Sequence, residues 1–327
     1  GVADALMQPA KTYLQIVGGF CILNALIPIC SSYLRAFGFS KEPLYASIIG
    51  NVINFCLNAF FLFVLHKGVA GVATATVISR IINLVIVVLL GAVLVKAKQH
   101  PERESNRAVM GQIIRIGLPS ACETAIYNVS MTLVIRFLNQ MDAQGLNVTA
   151  RSYTMQITNF SYCVGAALAQ ANAIMTGWHI GAKEYDACDR GTRKAAIIGV
   201  IVAVILETMF ALCSGWIMQL FSKDPQMVSL VGKLLAIDIV LEMGRVTNLV
   251  YGQALKTSGD AVFPVVMGAC FMILCSVGGT YLFGIRLGLL AVGAYIGMAG
   301  DECVRAVGMY LRWKSGKWKE KGLVKSR

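Results

Sequence analysis

Asp238, Glu242, Arg245 and Asn248 follow one another at intervals of four, three and three residues in an otherwise apolar run, so they share one face of a helix. A charge inside hydrocarbon costs about 2.5–3.5 kcal/mol on insertion scales, so such residues are paired or functional. Two readings are open for this stripe. Glu242 and Arg245 can neutralise each other locally, or Asp238, near the outer end of the run, or Glu242 can meet a cation. Glu123, four residues after Pro119 in another apolar run, is a further candidate acid, and Tyr127 and Asn128 flank its face. Glu207 lies in a third run without an evident partner, whereas Asp301 and Glu302 precede Arg305 by four and three residues and pair with it structurally. The chemistry open to these groups is exchange: a carboxylate that holds Na⁺, a proton or an organic cation in turn changes its own charge and biases a conformational equilibrium. Glu123, Glu242 and Asp238 are the acids expected to couple, while Tyr127, Asn128, Glu207, Arg245 and Asn248 are candidates for the wall of a substrate cavity.

A second polar set lies upstream. Asn54 and Asn58 are four residues apart on one helical face, with Asn51 just off it. An amide in hydrocarbon needs a partner, so this face should point into a bundle, where bonding between helices would satisfy it.

The elements that position these residues are transmembrane helices. Of 327 residues, 57% are apolar and 14% charged, against about 25% charged in soluble domains. Apolar runs recur at roughly 11–35, 43–65, 69–95, 109–138, 147–177, 192–219, 226–256, 262–284 and 288–312, each long enough for the roughly 20 residues of a membrane helix. The expected fold is therefore all-α and polytopic, with about nine membrane helices. The formal charge of +12 does not imply nucleic acid, because most Lys and Arg fall in alternate loops and in the tail WKSGKWKEKGLVKSR. That bias places the linker and C-terminus in the cytoplasm, with the basic tail solvated near anionic lipid. The ten cysteines include no CxxC pair and mostly sit in apolar runs; the three histidines lie at span ends or in loops. No disulfide framework, metal site, cofactor or catalytic constellation is expected, and so no enzyme.

The stretch LKTSGDAVFP (Leu255–Pro264) repeats LRAFGFSKEP (Leu34–Pro43) 221 residues downstream. Each copy has a cation, a Gly suited to a left-handed helix cap, and a Pro for the first turn of the next helix. The GVAGVA run at Gly68 pairs with GLLAVG at Gly288, at an offset of 220. Spans one to three thus correspond to spans seven to nine, and spans four to six have no counterpart. The hydrophilic stretch KAKQHPERESNR divides the two sets. The expected organisation is a partial N-lobe at 1–98, a cytoplasmic linker at 99–108, a C-lobe at 109–314 and a basic tail at 315–327. Three further spans ahead of the first would complete a 6+6 arrangement of parallel repeats.

In order and spacing, these features resemble the multidrug and toxic compound extrusion (MATE) family. The resemblance is carried by Tyr13-Leu14, LRAFGFSKEP, NVINFCLNAFF, GVAGVATATVISR, IGLPSACE, QANAIMTGWHIGAKEYDACDR and LKTSGDAVFP. It implies a two-lobed bundle of which this chain looks like helices four to twelve. It also implies that Asn54 matches a family Asn, Asn58 stands where the family has an Asp, and Thr76 matches a Thr, in a network responsive to cations or protons. An amide at position 58 cannot titrate. The implied function is a monomeric secondary exporter in the plasma (inner) membrane, moving organic, cationic drugs or toxins outward against Na⁺ or H⁺. The alternatives are a lipid-linked oligosaccharide flippase, which would need a cavity lined by Arg and Lys that few cations here are expected to face, and a non-transporting membrane scaffold.

Overall fold

A computed structural model describes residues 4–96, 106–142 and 145–321. The chain forms two compact units, Gly1–Arg103 and Glu104–Arg327. Most of the expected linker at 99–108 lies outside the described residues.

In the first unit, α1 (Asp4–Gly19) and α2 (Leu23–Ala36) form a pair bent by 41° where one span, roughly 11–35, was expected. The Gly18-Gly19 pair precedes the break, and paired glycines are an ordinary cause of a kink. Helix α3 (Lys41–Ala59) runs on into a π-helical turn, Phe60–Val64, and α4 (Gly68–Lys96) packs against α1, α2 and α3. Its core is small: Leu34, Ala46, Val87 and Val95 are buried together, while Val85, Val88, Leu89 and Val93 point outward.

The second unit contains α5 (Asn106–Met141), α6 (Leu146–Gly181), α7 (Tyr185–Leu212), the short α8 (Ser214–Met218), α9 (Pro225–Thr257), α10 (Val262–Phe271) and α11 (Leu290–Lys314). Helix α10 continues through two π-helical segments, Met272–Val277 and Thr280–Arg286. Helix α9 is the centre, packed most extensively on α11, then on α6 and α7. At Gly244 the α9 backbone comes so close to α11 that an added Cβ would lie 2.9 Å from the Cys303 nitrogen and the Glu302 carbonyl carbon.

Four stretches (41–64, 68–95, 185–212 and 262–286) are long and apolar enough to cross a membrane by composition, and the bent α1–α2 pair makes a fifth. The remaining long helices, α5, α6, α9 and α11, carry the polar residues that the interior collects. Glu207 and Glu242 are wholly buried, while Leu212 is 82% exposed and Phe63 76%. Apolar surface outside and charge inside is the arrangement a hydrocarbon solvent favours.

The repeat survives in the backbone, with a changed register. Gly38 and Gly259 both take left-handed φ, +88° and +92°, and the amides of Phe39 and Asp260 both bond to the carbonyl five residues earlier, Leu34 and Leu255. This corner keeps the offset of 221. At the next corner, Lys67 N bonds Phe61 O and Gly71 N bonds Lys67 O; the matching bonds are Leu289 N to Phe283 O and Gly293 N to Leu289 O. That offset is 222, not the 220 read from GVAGVA and GLLAVG. Gly68 (φ +53°) therefore corresponds to Leu290 (φ +52°), and His66 (φ +48°) to Gly288 (φ +69°). The extra residue is accommodated within α10, where the π-helical segment Met272–Val277 has no counterpart in α3; a π-turn is how a helix absorbs a one-residue insertion.

The tail is not wholly solvated, contrary to expectation. Through Lys321 it folds back on the second unit: Trp318 is buried, stacks on Trp313 at 4.1 Å, and donates from its indole to the Trp313 carbonyl. Trp313 donates in turn to Asp189 at 2.8 Å. Asp260, in the α9–α10 corner, accepts from Arg312 Nε at 2.6 Å and Lys321 Nζ at 2.7 Å. Burial alone would raise the Asp260 carboxyl, but these bonds and charges hold it below the ordinary carboxylate value.

Two outcomes follow from this packing. Gly244→Ala forces backbone apart and is expected to destabilise the protein by about 1–3 kcal/mol, read as a lower thermal midpoint in detergent. Gly300→Ala, which meets nothing within 4 Å, is the control and should leave the midpoint unchanged or raise it. Because the folded Asp260 carboxyl is depressed, its clamp contributes stability above the unfolded carboxylate value of about 3.9 and loses it as pH falls through the lower folded value. The protection factors of the amides at Trp318–Glu320, taken against the intrinsic exchange rate at each pH, should therefore fall in acid, and Asp260→Asn should lower them already at neutral pH.

Candidate functional site

The helices of the second unit line an open cavity of about 540 Å³. Helix α5 contributes Glu123, Tyr127 and Asn128, and α9 contributes Asp238, Arg245, Asn248 and Lys256. Helix α6 adds Arg151 and Tyr162, and α11 adds Asp301, Glu302 and Arg305. Of the 4-3-3 stripe on α9, Asp238, Arg245 and Asn248 line the cavity, while Glu242 within the same stripe is fully buried and does not.

Most of the charges on the wall are joined in ion pairs. Glu123 Oε2 lies 2.6 Å from Lys256 Nζ, across 133 residues of chain. Lys256 is the cation of the repeated corner, and its flexible stem carries the ammonium back along the wall to α5. Arg305 grips Asp301 with two bonds, 2.9 Å from Nε and 2.8 Å from Nη2, and lies 3.0 Å from Glu302. Ser276 Oγ donates to Asp301 at 2.9 Å, and Asn248 Nδ2 to Glu302 at 3.0 Å. Arg245 binds Glu242 at 2.7 Å and approaches Glu302 at 3.6 Å, with its guanidinium 6.0 Å from the centre of the Tyr162 ring.

Among the sequence candidates, Glu123, Asp238, Tyr127, Asn128, Arg245 and Asn248 line this cavity. Glu242 and Glu207 do not: both are fully buried behind the wall, which corrects the placing of Glu207 among cavity residues. Asn54, Asn58 and Thr76 belong to the first unit. There Asn58 Nδ2 donates to Asn54 at 3.0 Å, and Asn54 Nδ2 donates to Ser79 Oγ at 3.1 Å. Thr76 spends its hydroxyl on the Val72 carbonyl of its own helix, and the cross-helix partner is Ser79, one turn further on. Sequence reasoning assigned Asp301, Glu302 and Arg305 a purely structural pairing, yet all three face the cavity. The signal was present, since three charges within five residues of one span exceed what a single ion pair requires.

The wall carries four acids (Glu123, Asp238, Asp301, Glu302) and four bases (Arg151, Arg245, Lys256, Arg305), so the expectation that few cations face a cavity does not hold. Such a surface can receive a charged group of either sign by opening an internal pair. No group of three or more His, Cys, Asp or Glu side chains is placed to hold a metal ion among the described residues. A double-mutant cycle measures the cavity pair: Glu123→Gln and Lys256→Met should each lower the thermal midpoint, and together cost less than their sum, with a coupling of about 1–3 kcal/mol.

Comparison with known proteins places the chain. The MatE family model matches residues 1–60 and 119–282. The uncharacterized transporter YisQ of Bacillus subtilis is 34% identical over 99% of this chain and 72% of its own length. The "Probable multidrug resistance protein NorM" of Thermotoga maritima is 22% identical over 96% of this chain and 68% of its own. Among solved structures, a MOP superfamily transporter from Pyrococcus furiosus superposes with a TM-score of 0.87 at 18% identity, covering 98% of this chain and 72% of that one. A crystal structure of MATE in the straight conformation gives 0.83 at 18% identity, with 94% and 70% covered. These two share the fold. Matched by the family model over most of its length and by a relative along nearly all of it, this chain belongs to the MatE family of polytopic membrane transporters.

Proposed function

We propose that the protein is a secondary active exporter that moves small organic cations outward in exchange for Na⁺ or H⁺ by alternating access. The observation that carries this reading is the Glu123–Lys256 pair on the cavity wall. A carboxylate held by one flexible lysine is an exchangeable site. A coupling ion or a substrate ammonium can displace Lys256, but both cannot occupy Glu123 together, and that exclusion is the basis of antiport. Tyr127 and Tyr162 on the same wall offer ring faces to a cation. Relatives named as multidrug resistance and multidrug and toxin extrusion proteins support export. The distribution of Lys and Arg supports an orientation with linker and C-terminus on the cytoplasmic side; a plasma-membrane location, a monomeric state and a coupling ion as sole cofactor belong to the same proposal.

A second reading draws on the four wall cations. Freed from their acids, Lys256, Arg245 and Arg305 would suit an anionic head group, as of a pyrophosphate-linked lipid. The Pyrococcus furiosus neighbour is described as having a binding pocket of reverse polarity.

Ethidium efflux from cells lacking their own drug pumps, under imposed Na⁺ or H⁺ gradients, tests the first reading. Efflux should require one of the gradients, and Glu123→Gln should lower it at least about tenfold at equal expression. Gradient-independent efflux, or wild-type efflux in Glu123→Gln, removes the coupling role. Failure across a panel of organic cations, with flipping of a fluorescent pyrophosphate lipid in proteoliposomes, would favour the second reading instead.

A further inference from the structure

Behind the cavity wall lies a second polar site that the exchange at Glu123 does not use. Glu207, on α7, is fully buried, and neither of its carboxylate oxygens has a hydrogen-bond partner. Across from it on α9, Asp238 Oδ2 and Glu242 Oε1 are buried and unpartnered as well, and the charges of these two acids reach Glu207. From α6 the Ser161 hydroxyl faces the carboxyl, itself buried and without a hydrogen bond. Among the described residues, the only cation whose charge reaches all three acids is Arg245, which is already bonded to Glu242 at 2.7 Å and lies 3.6 Å from Glu302 of α11.

With Asp238 on the cavity wall and Glu207 and Glu242 fully buried, three ionised carboxylates beside one guanidinium would leave uncompensated charge in the interior, which a protein does not sustain. One acid must be neutral or must hold a cation. A proton neutralises a buried carboxyl in place and needs no further ligands; a Na⁺ ion in its stead would leave no carbonyl band in an infrared pH titration. Glu242 is tied to Arg245 as a carboxylate, and Glu207 contacts no cation among the described residues. We propose that Glu207 binds an exchangeable proton at a site separate from the substrate cavity, and that Arg245 transmits its loss or gain to the cavity wall.

The geometry gives the direction. Loss of the proton adds a negative charge on the buried side and draws Arg245 towards Glu242. Binding of the proton removes that charge and lets the guanidinium swing towards Glu302, whose Oε1 already stands 3.6 Å from Arg245 Nε. Arg245 lines the cavity beside Tyr162, so its swing alters the charge offered to a substrate. The proposal deepens the exporter reading and rests on it only for the link to transport.

Infrared difference spectroscopy of the full chain in lipid nanodiscs, titrated over pH, reads the site without transport. The wild type should show the carbonyl band of a protonated carboxylic acid in an apolar setting; Glu207→Gln should remove it and Glu123→Gln should retain it. Gln has the shape of a protonated Glu, so the fold should persist. If it does not, Glu207→Asp serves, and the pH midpoint of the band must move. In parallel, the pH dependence of ethidium binding, about tenfold in the wild type, should flatten in Glu207→Gln. A band that survives Glu207→Gln, or an unmoved midpoint in Glu207→Asp, overturns the proposal. If the protein binds no ethidium yet the band behaves as stated, the exporter reading fails and the proton site stands.

Discussion

Everything in the second unit is arranged around the need to keep charge out of hydrocarbon, and Arg245 is where that need is most acute. One guanidinium on the central helix faces Glu242 on its own helix and Glu302 on the next. It can do so because Gly244 lets α9 and α11 approach until their backbones nearly touch. A larger residue there would hold α11 away and lengthen the reach from Arg245 to Glu302. The tight crossing and the ion-pair network are therefore one feature, and the cavity is the space left on its open side.

The same economy accounts for which helices look transmembrane by composition. The stretches that pass on length and apolarity include α4 and α7, whose outward faces are nearly pure Val, Ile and Leu. Helices α5, α6, α9 and α11 carry the polar cargo and look less membranous than they are. At the other end of the unit, buried Asp260 is solvated by Arg312 and Lys321, so the corner between α9 and α10 is pinned by a tail that composition alone would leave in solvent.

How much of this was legible depended on whether partners were local. The stripe on α9 was, because spacings of four and three residues are set by the helix itself, and the Arg245–Glu242 bond follows from them. Helix existence was legible too, since every apolar run found a helix or a bent pair among the described residues. The Glu123–Lys256 pair was not, because nothing local joins residues 133 apart and a lysine at a helix end looks like a marker of the membrane edge. Glu207 was recognised as partnerless, but its position behind the wall was not, since that depends on how α7 is rotated against α9. Thr76 was placed in the network on resemblance alone; in the structure its hydroxyl turns back to a carbonyl of its own helix, and Ser79, which the sequence reading did not single out, makes the bond across.

The extra residue absorbed in α10 bears on the history of the molecule. With the register counted in backbone bonds, Asn54 corresponds to Ser276 and Ser79 to Asp301, and both pairs are hydrogen-bonded, at 3.1 Å and 2.9 Å. The same cross-helix staple has thus outlived the duplication, although none of its four letters is shared between equivalent positions. Counted onward, Arg80 meets Glu302 and Asn83 meets Arg305. One ancestral polar ladder has diverged into a hydroxyl, a base and an amide in one copy and two acids and a base in the other. The halves have kept a common scaffold while specialising in charge.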